Sequence, residues 1–305
     1  MNKVALKHAK GLDPMARPEL IDTHRDTPKA QGGEYTPDNY DIIDPPDHMR
    51  EHGTLRERSA ELTKLKAVVD DRKHVLMLRN KAANQLLAAE RRTDDLLPET
   101  IEWLQDQVDH LSKEEAKRRR RVAKACKEYA ETDPLTAAAI AVPGIGELTV
   151  AQCSVYIDLT KARHASSLWS YAGLDKPSHS RFSKGEAGGG NKTLRTALYN
   201  MAQSQVKTRG PYREVYDRTK DRLARSDKVT KSRNTKGQLV ECAWKDTKPC
   251  HRDGAALRAV MKAFLADYWY VGRALCGLPN GPGYAEAQLG GNHRTVMPQE
   301  RGWRW

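Results

Sequence analysis

Two long runs of helical periodicity, meeting at a proline-marked break, limit what this chain can fold into more than any other feature. From about Thr54 to Arg92, the residues Leu55, Leu62, Leu65, Val69, Leu76, Ala83 and Leu86 recur at spacings of three, four and seven. That spacing places apolar side chains on one stripe of a helix. Asp94, Asp95 and Pro98 interrupt it, because proline fits a helix only in its first turn. A second stripe follows, made of Ile101, Leu104, Val108, Leu111, Val122, Ala125 and Tyr129. Charged residues fill the other faces, so each helix must bury its stripe against a neighbour. A short connection makes that neighbour the other helix, and residues 53–132 are expected to form a long antiparallel coiled-coil hairpin. Its exposed seam also offers a surface for a second copy, so a homo-oligomer through the coiled coil is expected. The run Lys117–Arg121 (KRRRR) reads either as a solvated helix face or as a contact to nucleic acid.

Residues 133–276 read as a compact helical domain, which makes the expected fold class all-α. Helices are expected on either side of a tight turn in TAAAIAVPGIGELTVAQCSVYI, over Ser166–Tyr171, from Asn191 with Leu194, Leu198, Met201, Ala202 and Val206 on one face, over Tyr212–Arg225, and over Ala255–Leu275. Phe264, Tyr268, Trp269 and Tyr270 in the last helix read as core. Residues 226–254 read as a polar basic loop. The first 52 residues, with few apolar positions and adjacent prolines, read as an irregular arm, and 277–305, rich in Gly and Pro, as a flexible tail.

The formal net charge is +12. Between Pro134 and Leu275 there are 24 Lys/Arg and 12 Asp/Glu, so this segment alone accounts for the whole excess. Concentrated positive charge points to a polyanionic partner. Within it, Val142-Pro143-Gly144-Ile145-Gly146, followed by Thr149, stands between two apolar helices. Glycines there let backbone N–H groups approach a ligand closely, and a helix N-terminus favours an anion. This is the logic of a helix-hairpin-helix that captures a DNA phosphate through Gly144, Ile145, Gly146 and Thr149, with Ile145 plugging the turn into the core. The plainer alternative is an ordinary helix–helix turn. Further along, Lys176–Arg195 mixes hydroxyls, glycines and the cations Arg181, Lys184, Lys192 and Arg195. Those cations suit phosphate contacts. A serine among them, given an activating base or metal, is a candidate nucleophile at a phosphodiester. A surface loop is the alternative.

Five scattered cysteines with no CxxC pair fit a reducing compartment. The start has no signal-peptide core, and the longest apolar stretch, Leu135–Val142, is too short to span a bilayer. A cytoplasmic protein with no membrane contact is expected. Cys242, Cys250 and His251 do not have a standard zinc spacing. No metal site and no cofactor are evident in this chain.

From about residue 54 to 276 the sequence resembles the bacterial insertion-sequence family one-ten transposases, including the pilin-invertase type. The resemblance rests on AVPGIGELTVAQ, LWSYAGLDKPSHS, SKGEAGGGNKTLRTALYNMAQ and DGAALRAVMKAFLADYWYVGRAL in that order, after a helical hairpin at the family's coiled-coil position. It implies a DNA recombinase guided in known members by a structured RNA. It also implies a serine nucleophile shortly after the YAGL segment, matched here by Ser180 with Ser178 and Ser183 as alternatives. Where the family commonly has Gly after that serine, this chain has Arg181. The family's ribonuclease-H-like N-terminal domain, which carries acidic metal ligands, is expected to be missing before the hairpin. Mg²⁺ would then enter only if a partner domain supplied ligands. The other expectation is a non-catalytic nucleic-acid-binding derivative.

Overall fold

The computed structural model describes residues 22–24, 41–43, 59–91, 98–162, 164–175, 190–233, 237–277 and 296–305. The chain divides into Met1–Glu57 and Arg58–Trp305. In the first unit, the segment read as an irregular arm contains a short antiparallel pair, β1 (Asp22–His24) with β2 (Asp41–Ile43). The second unit is helical, and the fold class is all-α as expected.

Two long helices open the second unit, α1 (Ala60–Glu90) and α2 (Pro98–Ala130). Ser59 caps α1 by accepting from Leu62 N at 3.1 Å, and Pro98 occupies the first position of α2, where its missing N–H costs nothing. The pair is antiparallel. Lys64 meets Glu128, Arg72 meets Glu115, Arg118 meets Asp71, and Leu86 and Ala89 pack on Leu104. The α1 stripe differs from the expected one in its middle. Val75 and Ala82 are the buried positions, while Leu76 and Ala83 are only half-buried. Arg72 occupies a seam position between Val69 and Val75, where its Nε donates to Glu115 Oε1 at 2.8 Å.

The base of this hairpin shares one core with the helices that follow. Asp133 caps α3 (Pro134–Ala141) by accepting from Thr136 N at 2.9 Å. Then come α4 (Glu147–Tyr156), a 3₁₀ turn at Leu159–Lys161, α5 (Ala165–Tyr171), α6 (Lys192–Lys207) and α7 (Arg213–Ala224). The 27-residue α8 (Pro249–Leu275) is the spine, packing on α3, α5, α6 and α7. Its apolar face buries Ala256, Leu257, Val260, Met261, Phe264, Leu265, Tyr268, Trp269 and Val271, so Phe264, Tyr268 and Trp269 are core as expected, while Tyr270 is only half-buried. Trp269 Nε1 finds its acceptor in Ala162 O at 2.7 Å.

Two expectations need correction. The stretch read as a polar loop folds into an antiparallel ribbon, β3 (Val229–Arg233) with β4 (Leu239–Ala243), pairing Val229 with Ala243 and Arg233 with Leu239. A cross-strand Lys231–Glu241 ion pair lies on it, and Trp244 N closes its base on Lys228 O at 3.0 Å. The expectation of a flexible tail does not hold for residues 296–305. A 3₁₀ turn at Pro298–Arg301 brings Trp303 into the core at 1% exposure, beside Phe264 and Tyr268. Trp303 Nε1 donates to Tyr212 Oη at 2.7 Å, Tyr212 Oη donates to Asp267 Oδ2 at 2.7 Å, and Arg301 Nη1 donates to Asp267 Oδ1 at 2.8 Å. Burial pushes the Asp267 carboxyl above the ordinary carboxylate range, against the pull of Arg301 and Tyr212.

Candidate nucleic-acid interface

The turn between α3 and α4 is built from below by α6. Val142 is buried and ends α3, and Ile145, 5% exposed, seats the turn in the core with its amide on Val142 O at 3.1 Å. Pro143, Gly144 and Gly146 are exposed. Gly144 has φ +77°, and a Cβ there would stand 2.7 Å from Gln205 Nε2 and 3.0 Å from Thr208 Oγ1. Only glycine combines that left-handed backbone with so close a floor. Gln205, fully buried, donates from Nε2 to Pro143 O at 2.8 Å and accepts at Oε1 from Tyr212 N at 3.2 Å. A Gln reads as a surface residue in a sequence, although position 205 continues the α6 stripe of Leu194, Leu198 and Met201, so residue type hid what the periodicity marked.

Thr149 does not reach the surface where it was expected, being 7% exposed with its amide on Gly146 O at 3.0 Å. The α4 N-terminus carries its own anion. Glu147 is held below the usual carboxylate range by a hydrogen bond from its own amide, with Lys127 at 3.2 Å adding to the effect. At the end of α6, Lys207 and Arg209 stand exposed on either side of Thr208.

The second expected cluster lies at the other end of α6. Asn191 caps that helix by accepting from Leu194 N at 3.0 Å, and its own amide donates to Tyr171 O at 2.6 Å. Gly190, φ +93°, lies against Gly173, where a Cβ would come within 2.7 Å of Gly173 Cα. The chain thus leaves at Asp175 and returns at Gly190 through one pinched stem. Ser178, Ser180, Ser183, Arg181 and Lys184 lie between these points, outside the described residues. Lys192 is exposed and Arg195 half-buried, both on the first turn of α6 above that stem.

Beside them, α8 contributes two cations that the sequence reading missed. Arg258 and Lys262 stand one turn apart, both half-buried. Burial, then the charge of Arg195, lowers the Arg258 pKa. Burial, then Arg258, lowers that of Lys262, while Asp175 works in the opposite direction. Lys262 Nζ also lies 5.1 Å from the Trp169 ring centroid, and Trp169 Nε1 donates to Lys262 O at 3.0 Å. The signal was present as two cations at i and i+4 on an otherwise apolar helix face.

No group of three or more His, Cys, Asp or Glu among the described residues is placed to hold a metal ion. No helix among the described residues is long and apolar enough to cross a membrane.

The fold and these side chains define a helical domain that gathers cations around one pinched stem and one exposed glycine turn. Residues 137–217 match the family model described as transposase, IS116/IS110/IS902 family. The matched stretch runs from within α3 across the glycine turn, α4, α5, the stem and α6 into α7, and it supports an IS110-type transposase domain. No curated protein matches the chain.

Proposed function

We propose that this protein is a DNA transposase or site-specific recombinase that attacks a phosphodiester with a serine between Asp175 and Gly190. Ser180 is the first choice, with Ser178 and Ser183 as alternatives. The observation that carries the reading is the family match over residues 137–217, which includes both the glycine turn and the stem. In the reaction, serine Oγ forms a bond to phosphorus as the P–O bond to the neighbouring sugar breaks. The Oγ proton passes to a base, and the leaving sugar oxygen takes up a proton. Charge builds on the phosphoryl oxygens, and fixed cations stabilise it most where water is excluded. Arg181, Lys184, Lys192 and Arg195 supply those cations in this reading, and the Gly144–Gly146 backbone holds a more distant phosphate as a helix-hairpin-helix does.

The α1–α2 hairpin is the self-association element of the same reading. Met77, Leu87 and Trp103 stand 62, 50 and 59% exposed on it, which a second copy would cover. Arg119–Arg121, also exposed, are open to a guide RNA.

The test is a denaturing gel for covalent protein–DNA adducts, with and without candidate RNA and Mg²⁺. Wild type is expected to form an adduct that Ser180→Ala abolishes. Loss only in Ser178→Ala or Ser183→Ala reassigns the nucleophile. Absence of any adduct, together with salt-dependent duplex binding that Ser180→Ala leaves unchanged, would establish the non-catalytic binding protein instead.

A further inference from the structure

We propose that the end of α7 and the β3–β4 ribbon form a second DNA surface, on which Arg222, Arg225 and Lys228 take backbone phosphates while the outer face of the ribbon lies in the major groove. The proposal rests on the DNA reading above. It concerns residues outside the glycine turn and the stem, and beyond the matched stretch, which ends at residue 217.

Charge is the first observation. From Arg218 to Lys248 there are ten Lys/Arg and four Asp/Glu, so this segment holds half of the chain's net charge of +12. Part of it is compensated within the fold. Arg218 has Glu214 at 4.0 Å, Lys220 has Asp253 at 2.8 Å, Lys231 has Glu241 at 3.6 Å and Lys245 has Asp227 at 2.6 Å. Arg222, Arg225 and Lys228 are exposed, and no carboxylate among the described residues pairs with them. Arg222 and Arg225 lie three residues apart at the end of α7, where Asp221 is the neighbouring exposed carboxylate. With Lys228 at the entry to β3, three cations against that one carboxylate leave the path positive.

Shape is the second observation. Side chains alternate between the two faces of a strand, and directly paired residues share a face. Thr230 pairs with Cys242 on the inner face, where Ser232 is 6% exposed and the other two are half-buried. The outer face carries the Lys231–Glu241 pair between Val229 and Leu239, which are 63 and 48% exposed. The ribbon is fastened at its foot. Lys245 N donates to Ser226 O at 3.1 Å, Arg252 Nη1 donates to Thr247 O at 2.6 Å and to Lys245 O at 2.9 Å, and the Trp244 ring lies 5.1 Å from that of His251. Such a foot presents the two strands as one rigid piece.

Among the described residues no third strand joins either edge of this ribbon. A second copy fits poorly there. Antiparallel pairing of all five β4 residues with their own copy sets Glu241 opposite Glu241, and the same pairing of β3 sets Lys231 opposite Lys231. The major groove of DNA admits a two-stranded ribbon, whereas the deep, narrow major groove of duplex RNA does not. The outer face suits base edges. Val229 and Leu239 match thymine methyl groups, Lys231 matches the acceptors of guanine, and Glu241 matches the amino group of cytosine. The cations before β3 then meet phosphates at the edge of the groove.

The experiment compares wild type, Arg222→Gln, Arg225→Gln, Lys228→Gln, Leu239→Glu and the exposed control Lys113→Gln, all as full chains. Each is melted, sized by sedimentation, and titrated into labelled duplex DNA and duplex RNA over a series of salt concentrations. A DNA duplex bearing glucosylated 5-hydroxymethylcytosine, whose sugars fill the major groove, is titrated as well. Melting temperature and mass are expected to stay as in wild type. On DNA the three phosphate variants are expected to bind about five- to tenfold more weakly, each with the slope of log K against log salt reduced by about 1. Lys113→Gln is expected to bind as wild type does. Glucosylation is expected to weaken wild type about tenfold and Leu239→Glu much less, since that variant has already lost the groove contact. Unchanged salt slopes in the three variants, or an equal loss in Lys113→Gln, overturn the phosphate path. An equal effect of glucosylation on wild type and Leu239→Glu, or none on either, overturns the groove placement. Slope changes confined to RNA overturn the assignment to DNA. A smaller mass for Leu239→Glu at unchanged DNA affinity gives the face to a second copy and overturns the proposal. If wild type binds no duplex DNA at any salt, the DNA reading itself fails, and this surface with it.

Discussion

Gln205 Nε2 donates to Pro143 O at 2.8 Å, so the end of α6 carries the turn between α3 and α4 from beneath. The same side chain accepts from Tyr212 N at 3.2 Å, tying that turn to the start of α7. The exposed glycines are therefore held in shape by a buried amide, and shape and ligand contact can be separated experimentally.

Gly144→Ala is expected to destabilise the protein by roughly 2 kcal/mol or more, because it adds a left-handed backbone penalty to a clash with Gln205. Gly146 has φ −90°, and a Cβ added there would meet nothing within 4 Å, so Gly146→Ala is expected to fold normally. If the turn contacts a phosphate, Gly146→Ala weakens duplex binding at unchanged melting temperature. Gel-shift titration beside thermal denaturation distinguishes the two variants. Equal duplex affinity for Gly146→Ala and wild type would remove the turn from the interface.

Replacing Gln205 by Leu keeps its bulk but leaves Pro143 O and Tyr212 N without their buried partner. The expected loss is about 2–4 kcal/mol in urea unfolding, on the scale of roughly one to three for each stranded polar group. A variant as stable as wild type would show that water replaces the amide.

Trp303→Ala is expected to cost about 3–5 kcal/mol, the range for emptying a buried aromatic site. Asp267→Ala strands Arg301 and Tyr212 in the interior and is expected to cost about 3–5 kcal/mol. Because Trp303, Tyr212, Asp267 and Arg301 share one chain of hydrogen bonds, the double variant loses less than the sum. A double-mutant cycle checks this, and strict additivity would break the network into independent parts.

Thiol reactivity follows burial. Burial pushes the Cys126 thiol up from about 9 to about 12, and Cys153 is raised from the same cause. Cys250 and Cys276 are exposed. At about pH 8, alkylation of the native protein is expected at Cys250 and Cys276, while Cys126 and Cys153 react only after unfolding. Cys126 keeps its proton in the folded state at a pH where the unfolded chain has released it. Its stabilising contribution is therefore complete below about pH 9 and is lost as pH rises toward about 12, at about 1.4 kcal/mol per pH unit. Peptide mapping by mass spectrometry reads the first effect, and alkaline urea titration with a Cys126→Ala control reads the second.

The parts of this fold that were legible in the sequence are those set by repetition. Leu62, Leu65 and Val69 on α1, and Leu104, Val122 and Tyr129 on α2, follow a spacing that a helix alone satisfies, and all are buried. The middle of the α1 stripe escaped because Arg72 occupies a seam position and is compensated by Glu115, a partner 43 residues away. Distance along the chain hid Trp303 in the same way, since scattered aromatics in a Gly/Pro-rich stretch give no period to read. The β3–β4 ribbon had a local signal in Asn234–Gly237 between two five-residue runs, which the basic composition masked. At the stem, Lys192 and Arg195 were legible because they neighbour the motif. Arg258 and Lys262 reach it only through the packing of α8 on α5 and α6.

The backbone crossing of Gly173 and Gly190 turns the intervening segment into an exchangeable cassette. Its two ends are fixed where α5 ends and α6 begins, by Asn191 N on Tyr171 O, by Leu174 N on Trp169 O and by the close approach of the two glycines. Changes of length or sequence within residues 176–189 are expected to leave the contacts among the described helices in place, which thermal denaturation of such variants checks. Chemistry can diverge at this point among related chains while the surrounding helices stay as they are.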